Sequence, residues 1–222
     1  MALDLYAGTL TRYYSDAWED ADDATFDPTE TAETAEARAM VEGWRRGMAR
    51  AIADDLNGQT LGWSEDDDRP FFAARPDWAG FSALVYLAAY AEHPELRRPR
   101  KLSRDWTDDP AWQASAAVDG GTPFQQILFP ELWLPVDLDF VFTAEDPAGN
   151  EVTIGSVPRL LKALQALAAQ TLGGDAEAWA TWRAAGPGQP GDFEAQARFG
   201  LAVALDLAEK AQTHGLCVTL DY

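Results

Sequence analysis

Cysteine is almost absent from this 222-residue chain. Cys217 stands alone, which excludes an intramolecular disulfide. Histidine is nearly as scarce, with only His93 and His214, so a histidine-based zinc site has too few ligands. Lysine occurs three times, at Lys101, Lys162 and Lys210, beside abundant arginine and alanine. That bias reads as a GC-rich coding sequence and gives the Arg/Lys ratio no functional message. The longest apolar run, Phe81 to Ala91, is broken at Ser82 and is too short to span a bilayer. The opening Met1-Ala2-Leu3-Asp4 has no basic segment followed by an apolar one, so no secretory signal is expected and the cytoplasm is the expected location. No Walker loop, G-x-S-x-G or H-E-x-x-H signature occurs. No cofactor and no metal site are expected; a metal, if bound, would be a hard cation held by carboxylates.

What is present in excess is acid. The chain carries 37 acids against 17 bases, a formal net charge of −20. Such a field repels nucleic-acid phosphates and anionic lipid, so binding to nucleic acid or to a membrane surface is disfavoured. The acids can serve solubility alone, adapt the protein to a salt-rich habitat, or meet a basic protein partner as the inhibitors of nucleases do.

At this length one domain is expected, and a hydrophobic content of 47% suffices for its core. Leu3 to Ala7 reads as a strand with Leu3 and Leu5 on one face and Asp4 and Tyr6 on the other. Between Asp16 and Glu36 there are nine acids and no base, which predicts a loop in its first half. Asp27, Pro28 and Glu30 then form a helix start, and Val41, Trp44, Met48, Ile52 and Leu56 give one apolar stripe up to Asn57-Gly58. Gly43 and Gly47, four apart on that helix, could permit close packing. Asp77 is expected to cap a second, largely buried helix that ends at His93-Pro94. A short helix follows Asp109-Pro110, and Pro123 to Pro135 reads as an apolar connection. Val136–Ala144 and Glu151–Gly155 alternate on either side of a turn and predict a hairpin. Pro158 and Gly173 bracket a helix, Asp175 and Asp192 begin two more, and Gly186 to Gly191 is a loop between them. Leu216 to Leu220 closes the chain as a strand. The pattern predicts a single α+β domain: a small, mostly antiparallel sheet of about four strands covered by about five or six helices.

The segment Asp4-Leu5-Tyr6-Ala7-Gly8-Thr9-Leu10-Thr11-Arg12-Tyr13-Tyr14-Ser15-Asp16-Ala17-Trp18 resembles the opening of a group of uncharacterised bacterial proteins of about this length. Their C-termini, like Leu220-Asp221-Tyr222, finish on an apolar strand and Asp-Tyr. The resemblance covers these two ends, implies a bacterial origin and carries no activity.

The same segment holds the candidate binding residues Asp4, Tyr6, Arg12, Tyr13, Tyr14, Asp16 and Trp18. They combine donors, acceptors and flat apolar surfaces, as a polar pocket requires. The competing reading pairs Arg12 with a nearby aspartate and packs the tyrosines on the first helix. Elsewhere, Asp137 and Asp139 share a strand face that reads as solvent-facing, and Cys217 reads as buried and inert. Trp63, Trp106 and Trp133 fall in predicted loops, where tryptophan either covers the core or anchors a ligand. The functional expectation is a non-enzymatic interaction protein, of which an immunity-like protein is one form, with a basic partner. The alternative is a small enzyme or small-ligand binder built on the Tyr/Arg/Asp cluster, with its catalytic residues unknown.

Overall fold

The alternating patterns at the two chain ends form β1 (Asp4–Gly8) and β6 (Cys217–Asp221). The computed structural model describes residues 3–15, 31–56, 60–98, 105–119 and 121–222. In it, β1 and β6 pair antiparallel inside one sheet, with Tyr6 opposite Thr219 and Gly8 opposite Cys217. The central hairpin belongs to the same sheet, as the sequence predicts, through β4 (Phe142–Glu145) and β5 (Glu151–Ser156).

Among the described residues the sheet has six strands rather than four, in the order β2-β1-β6-β3-β5-β4. The two additional strands are β2 (Phe72–Ala74) at one edge and β3 (Leu132–Leu134) between β6 and β5. The sheet is mixed, because β3 runs parallel to β5 while the other neighbouring pairs are antiparallel. Both extra strands are three residues long, too short to display a period. Leu132, Trp133 and Leu134 are all buried, so β3 also lacks the alternation that marks a half-buried strand.

Helices cover both faces, so Tyr6, on the face of the first strand opposite Leu3 and Leu5, is buried as well. On one face, Leu3, Leu5, Ala7, Val218 and Leu220 share a core with α3 (Asp77–Glu92), α6 (Val157–Leu167) and α8 (Phe193–His214). On the other, Leu132, Leu134, Ile154 and Cys217 pack with Val41 and Met48 of α2 (Ala32–Ala51). The remaining helices are α1 (Leu10–Tyr14), α4 (Pro110–Ala116), α5 (Gln125–Leu128) and α7 (Ala176–Ala185). That makes eight among the described residues, against five or six expected, because α1 and α5 are single-turn elements.

The predicted caps at Asp109, Asp175 and Asp192 accept the N–H groups of Ala111, Ala178 and Ala195 at 2.8, 3.0 and 3.1 Å. The cap of α2 is Thr31, which accepts Thr34 N–H at 3.1 Å; Asp27, Pro28, Glu30 and the stop at Asn57-Gly58 lie outside the described residues. Gly43 and Gly47 are exposed and a Cβ on either would touch nothing within 4 Å, so they mediate no packing. The expected cap at Asp77 is corrected: the cap position falls on Pro76, and Asp77 is the first residue of α3, at φ 61°, with its carboxylate accepting Trp78 N–H at 2.8 Å. Aspartate tolerates that left-handed conformation better than most residues do.

The predicted strand Val136–Ala144 begins only at Phe142. The upstream backbone is satisfied by side chains instead of a ladder. Ser156 Oγ donates to Val136 O at 2.7 Å and accepts Leu138 N–H at 3.3 Å, and Gln126 donates to Phe140 O at 3.3 Å. Asp137 and Asp139 are solvent-exposed, as expected, but not on a strand; Asp137 pairs with Arg159.

Candidate functional site

The opening segment turns sharply because β1 ends under its own tyrosine. A Cβ at Gly8 would lie 2.0 Å from the Tyr6 hydroxyl oxygen, so only glycine fits beneath that ring. Thr9 then caps α1, accepting Arg12 N–H at 3.3 Å. The free N–H groups at the start of this short helix are taken by Glu65, which accepts from Thr11 N at 2.8 Å and Leu10 N at 3.4 Å. The same buried carboxylate accepts the Trp63 indole N–H at 2.6 Å. Arg12 answers in the opposite direction, donating to Asp67 O at 2.8 Å and Arg69 O at 2.9 Å while lying over the Phe71 ring. From α2, Arg38 donates to Glu65 O at 2.8 Å and pairs with Asp67, and Arg45 donates to Trp63 O at 2.7 Å. The acidic run Glu65 to Asp68 is therefore clamped on α1 and α2 by two arginines, Arg12 and Arg38, and the residue two before it by Arg45.

The candidate residues divide accordingly. Tyr6 and Tyr13 rings stand 5.4 Å apart and Tyr13 and Tyr14 rings 5.0 Å apart, so these three and Arg12 are brought together. Tyr6 donates to Thr9 O at 3.1 Å, Tyr13 to Asp221 at 2.9 Å and Tyr14 to Asp146 at 3.0 Å. Asp4 pairs instead with Arg75 at 2.6 Å. Asp16 and Trp18 lie outside the described residues. Arg12 binds backbone carbonyls rather than an aspartate side chain in these contacts, and each of the three tyrosine hydroxyls donates within the fold. Burial pushes the Tyr6 phenol well above its ordinary value, only partly offset by Arg12. Burial raises Tyr14 as well, and the Asp146 carboxylate adds to the shift. Phenols held neutral in this way serve as donors, not as bases.

Other reactive groups are similarly occupied. Cys217 is buried, and burial pushes its thiol well up, with Glu65 adding to the effect; a thiol so placed is unreactive. His93 Nε2 lies 3.0 Å from Ser115 Oγ and its Nδ1 3.4 Å from Glu95, a composition that invites a nucleophile reading. Ser115, however, is 1% exposed and donates its proton to Glu92, which also accepts Phe124 N–H at 2.6 Å. The group is a clasp joining α3, α4 and the turn before α5. Gly186, Gly188 and Gly191 carry the G-x-G-x-x-G spacing, but the loop runs from α7 into α8 with no strand before it, so the context of a dinucleotide fingerprint is missing. Among the described residues, no group of three or more His, Cys, Asp or Glu side chains is placed to hold a metal, and no helix is long and apolar enough to cross a membrane.

Two clefts open on other parts of the surface, and neither is lined by the opening tyrosines or Arg12. One, of about 540 Å³, lies against the hairpin and includes Trp112, Phe129, Phe140 and Phe142. The other, of about 480 Å³, lies where α3, the 3₁₀ turn Trp106–Asp108, α5 and the end of β6 meet. Its walls include Trp78, Trp106, Trp112 and Tyr222, and its charged groups are Asp105 and Glu131. Trp112 and Phe129 border both clefts, 5.7 Å apart edge to face. Of the three tryptophans expected in loops, Trp133 is buried in β3 and donates to Gln126 O at 2.8 Å. Trp63 is held against Trp44 and Arg45. Trp106 lines the second cleft. The aromatic wall comes from segments far apart in sequence, so no local pattern announced it.

Comparison with protein-family models, with curated proteins and with solved structures finds no match for this chain. Function rests on the chain's own geometry.

Proposed function

We propose that this chain is a non-enzymatic interaction protein whose acidic surface engages a basic protein partner, in the manner of an immunity protein or another stoichiometric inhibitor. One observation carries the proposal: the charge imbalance lies at the surface. Of the described carboxylates only Glu65 and Asp109 are buried. The described cations do not offset it: Arg12 is buried on backbone carbonyls, and Arg75, Arg159 and Arg183 sit at the surface paired with Asp4, Asp137 and Asp206, each cancelling one acid of an excess that still leaves the chain at −20. The net field presented to a partner is therefore strongly negative, which speeds encounter with a basic surface and selects against an acidic one.

The alternative, a small enzyme or ligand binder on the Tyr/Arg/Asp cluster, requires Arg12, Tyr13 and Tyr14 to leave the bonds they make with Asp67, Asp221 and Asp146. The interaction reading asks for no such rearrangement. Affinity capture from the source cell, repeated over a salt series and followed by measurement with the purified partner, tests it. The expected partner is basic, and its affinity falls steeply as salt rises. An acidic partner, or an affinity indifferent to salt, sinks the proposal.

A further inference from the structure

We infer that the open edge of β4 takes up a basic, extended segment of that partner as an added strand. The inference rests on the interaction reading above and names where the partner attaches. In the described sheet β4 is an end strand, with β5 on one side and no strand on the other. In an antiparallel ladder a residue turns its N–H and its C=O to the same side, and the side alternates along the strand. Three bonds fix the phase. Asp146 N–H donates to Asn150 O at 2.8 Å, so these two residues face each other. Thr153, the partner of Thr143, turns its carbonyl towards β3 and accepts Glu131 N–H at 2.9 Å. Glu145 turns its carbonyl away from β5 and accepts the Trp44 indole N–H at 2.6 Å. The N–H and C=O of Thr143 and the N–H of Glu145 therefore point out of the sheet, and none of the three is bonded among the described residues.

Thr143 is exposed and borders the cleft of about 540 Å³, so the edge is open to solvent there. Side chains alternate across a strand. Thr143 and Glu145 share one face with Thr153 and Glu151, while Phe142 and Ala144 pack against the core on the other. Glu145 and Glu151 stand directly opposite each other, both exposed, and neither forms an ion pair with a described residue. Like charges so placed destabilise a ladder. A lysine or arginine across from Glu145 on an added strand relieves that repulsion. The same acids disfavour a second copy as the occupant, because it would bring another Glu145 and a further charge of −20 to the edge. Charge on an edge strand guards against self-pairing, and acids do so without barring a basic strand. In such an addition the main-chain bonds give affinity and alternate side chains give selectivity. The partner's segment should therefore carry basic residues at every second position.

The test uses the full chain and three end-blocked heptapeptides. One alternates lysine with threonine, one is the same peptide N-methylated at each lysine, and one has glutamate in place of lysine. Calorimetry reads binding, and amide hydrogen exchange reads the edge. A lysine across from Glu145 presents its own N–H to β4, so methylation there removes the main-chain bonds and keeps the charge. The lysine peptide should bind and slow exchange at Thr143 and Glu145. Methylation should weaken it roughly five- to a hundredfold, as the loss of two backbone hydrogen bonds does. The glutamate peptide should not bind. Thr143→Pro removes one outward N–H while leaving the bonds to β5 and the net charge unchanged, and should weaken the lysine peptide roughly two- to twelvefold. Glu145→Gln should weaken it too. Glu177→Gln, exposed on α7, should change nothing. Thermal melts separate loss of binding from loss of fold, and the methylated peptide on wild type carries the test if Thr143→Pro does not fold. Equal binding of the lysine peptide and its methylated form, or unchanged affinity in Thr143→Pro or Glu145→Gln, overturns the inference while leaving the acidic-surface reading standing. Equal binding of the lysine and glutamate peptides, or no binding of any, also overturns it. The salt dependence of the captured partner judges the wider reading separately.

Discussion

Glu65 shows how one residue can change meaning once its neighbours are known. In sequence it opens a run of four acids, the usual mark of a solvated loop. In the fold it is buried and accepts three N–H donors, from Thr11, Leu10 and Trp63. Glu65→Ala would strand those donors, and we expect a loss of about 2–4 kcal/mol of stability in denaturant titration, since a buried unsatisfied donor costs about 1–3 kcal/mol. Asp68→Ala, in the same run but exposed, should leave the midpoint unchanged. The tyrosines make a second prediction at this scale. Tyr6 and Tyr14 are raised chiefly by burial, Tyr90 is pushed up to about 12 by burial and Asp109, and Tyr222 to about 12 by its bond to Glu131 and by burial. A phenol whose native pKa exceeds its unfolded value of about 10 stabilises the fold fully below pH 10 and loses that contribution as the pH climbs towards the native value. Stability should therefore hold up to about pH 10 and then decline, with phenolate absorbance rising late and together with unfolding. Early ionisation of every tyrosine near pH 10 in the folded protein would contradict this.

Among the elements, α3 and α8 depend on glycine where they cross. A Cβ on Gly200 would sit 2.1 Å from Gly80 O, a contact that only backbone movement can relieve. Gly200→Ala should cost about 1–3 kcal/mol, as overpacking does, and should lower the melting temperature. Gly47 on α2 is the reverse case. It is exposed, its missing Cβ would touch nothing, and Gly47→Ala should add about 0.5–1 kcal/mol through helix propensity. The spacing of Gly43 and Gly47 suggested close packing, yet the close approach occurs at Gly80 and Gly200. Spacing within one helix cannot say which side meets another helix.

For the whole molecule, the decisive quantity is the charge of −20. Self-repulsion of that size opposes the compact state and is screened by salt. The melting temperature should rise between about 10 mM and 0.5 M NaCl, where the Debye length shrinks severalfold. A modest rise fits an acidic surface kept for solubility or partner binding. Unfolding at low salt would point instead to halophilic adaptation and would weaken the interaction reading. Partner binding should move the other way, losing affinity over the same salt range, so the two measurements together separate self-repulsion from recognition.

What the chain determines by itself is local. The α+β class, the terminal strands, the burial of α3 and the caps at Asp109, Asp175 and Asp192 all follow from periods of two or 3.6 residues and from bonds spanning three residues or fewer. The tertiary structure decided what depends on distant partners. β2 and β3 exist because β1, β6 and β5 offer them edges, not because three residues prefer the extended state. Residues 136–140 carry a strand's alternation, but Ser156 and Gln126 satisfy their backbone before a ladder can. Arg12 finds its acceptors at Asp67 and Arg69, Tyr13 at Asp221 and Tyr14 at Asp146. The densest cluster of capable side chains in the sequence therefore became a structural lock. The aromatic cleft, assembled from Trp78, Trp106, Trp112 and Tyr222, arose where no single stretch predicted one. Hydrogen-bond donors and aromatic faces do not encode their destinations; packing assigns them.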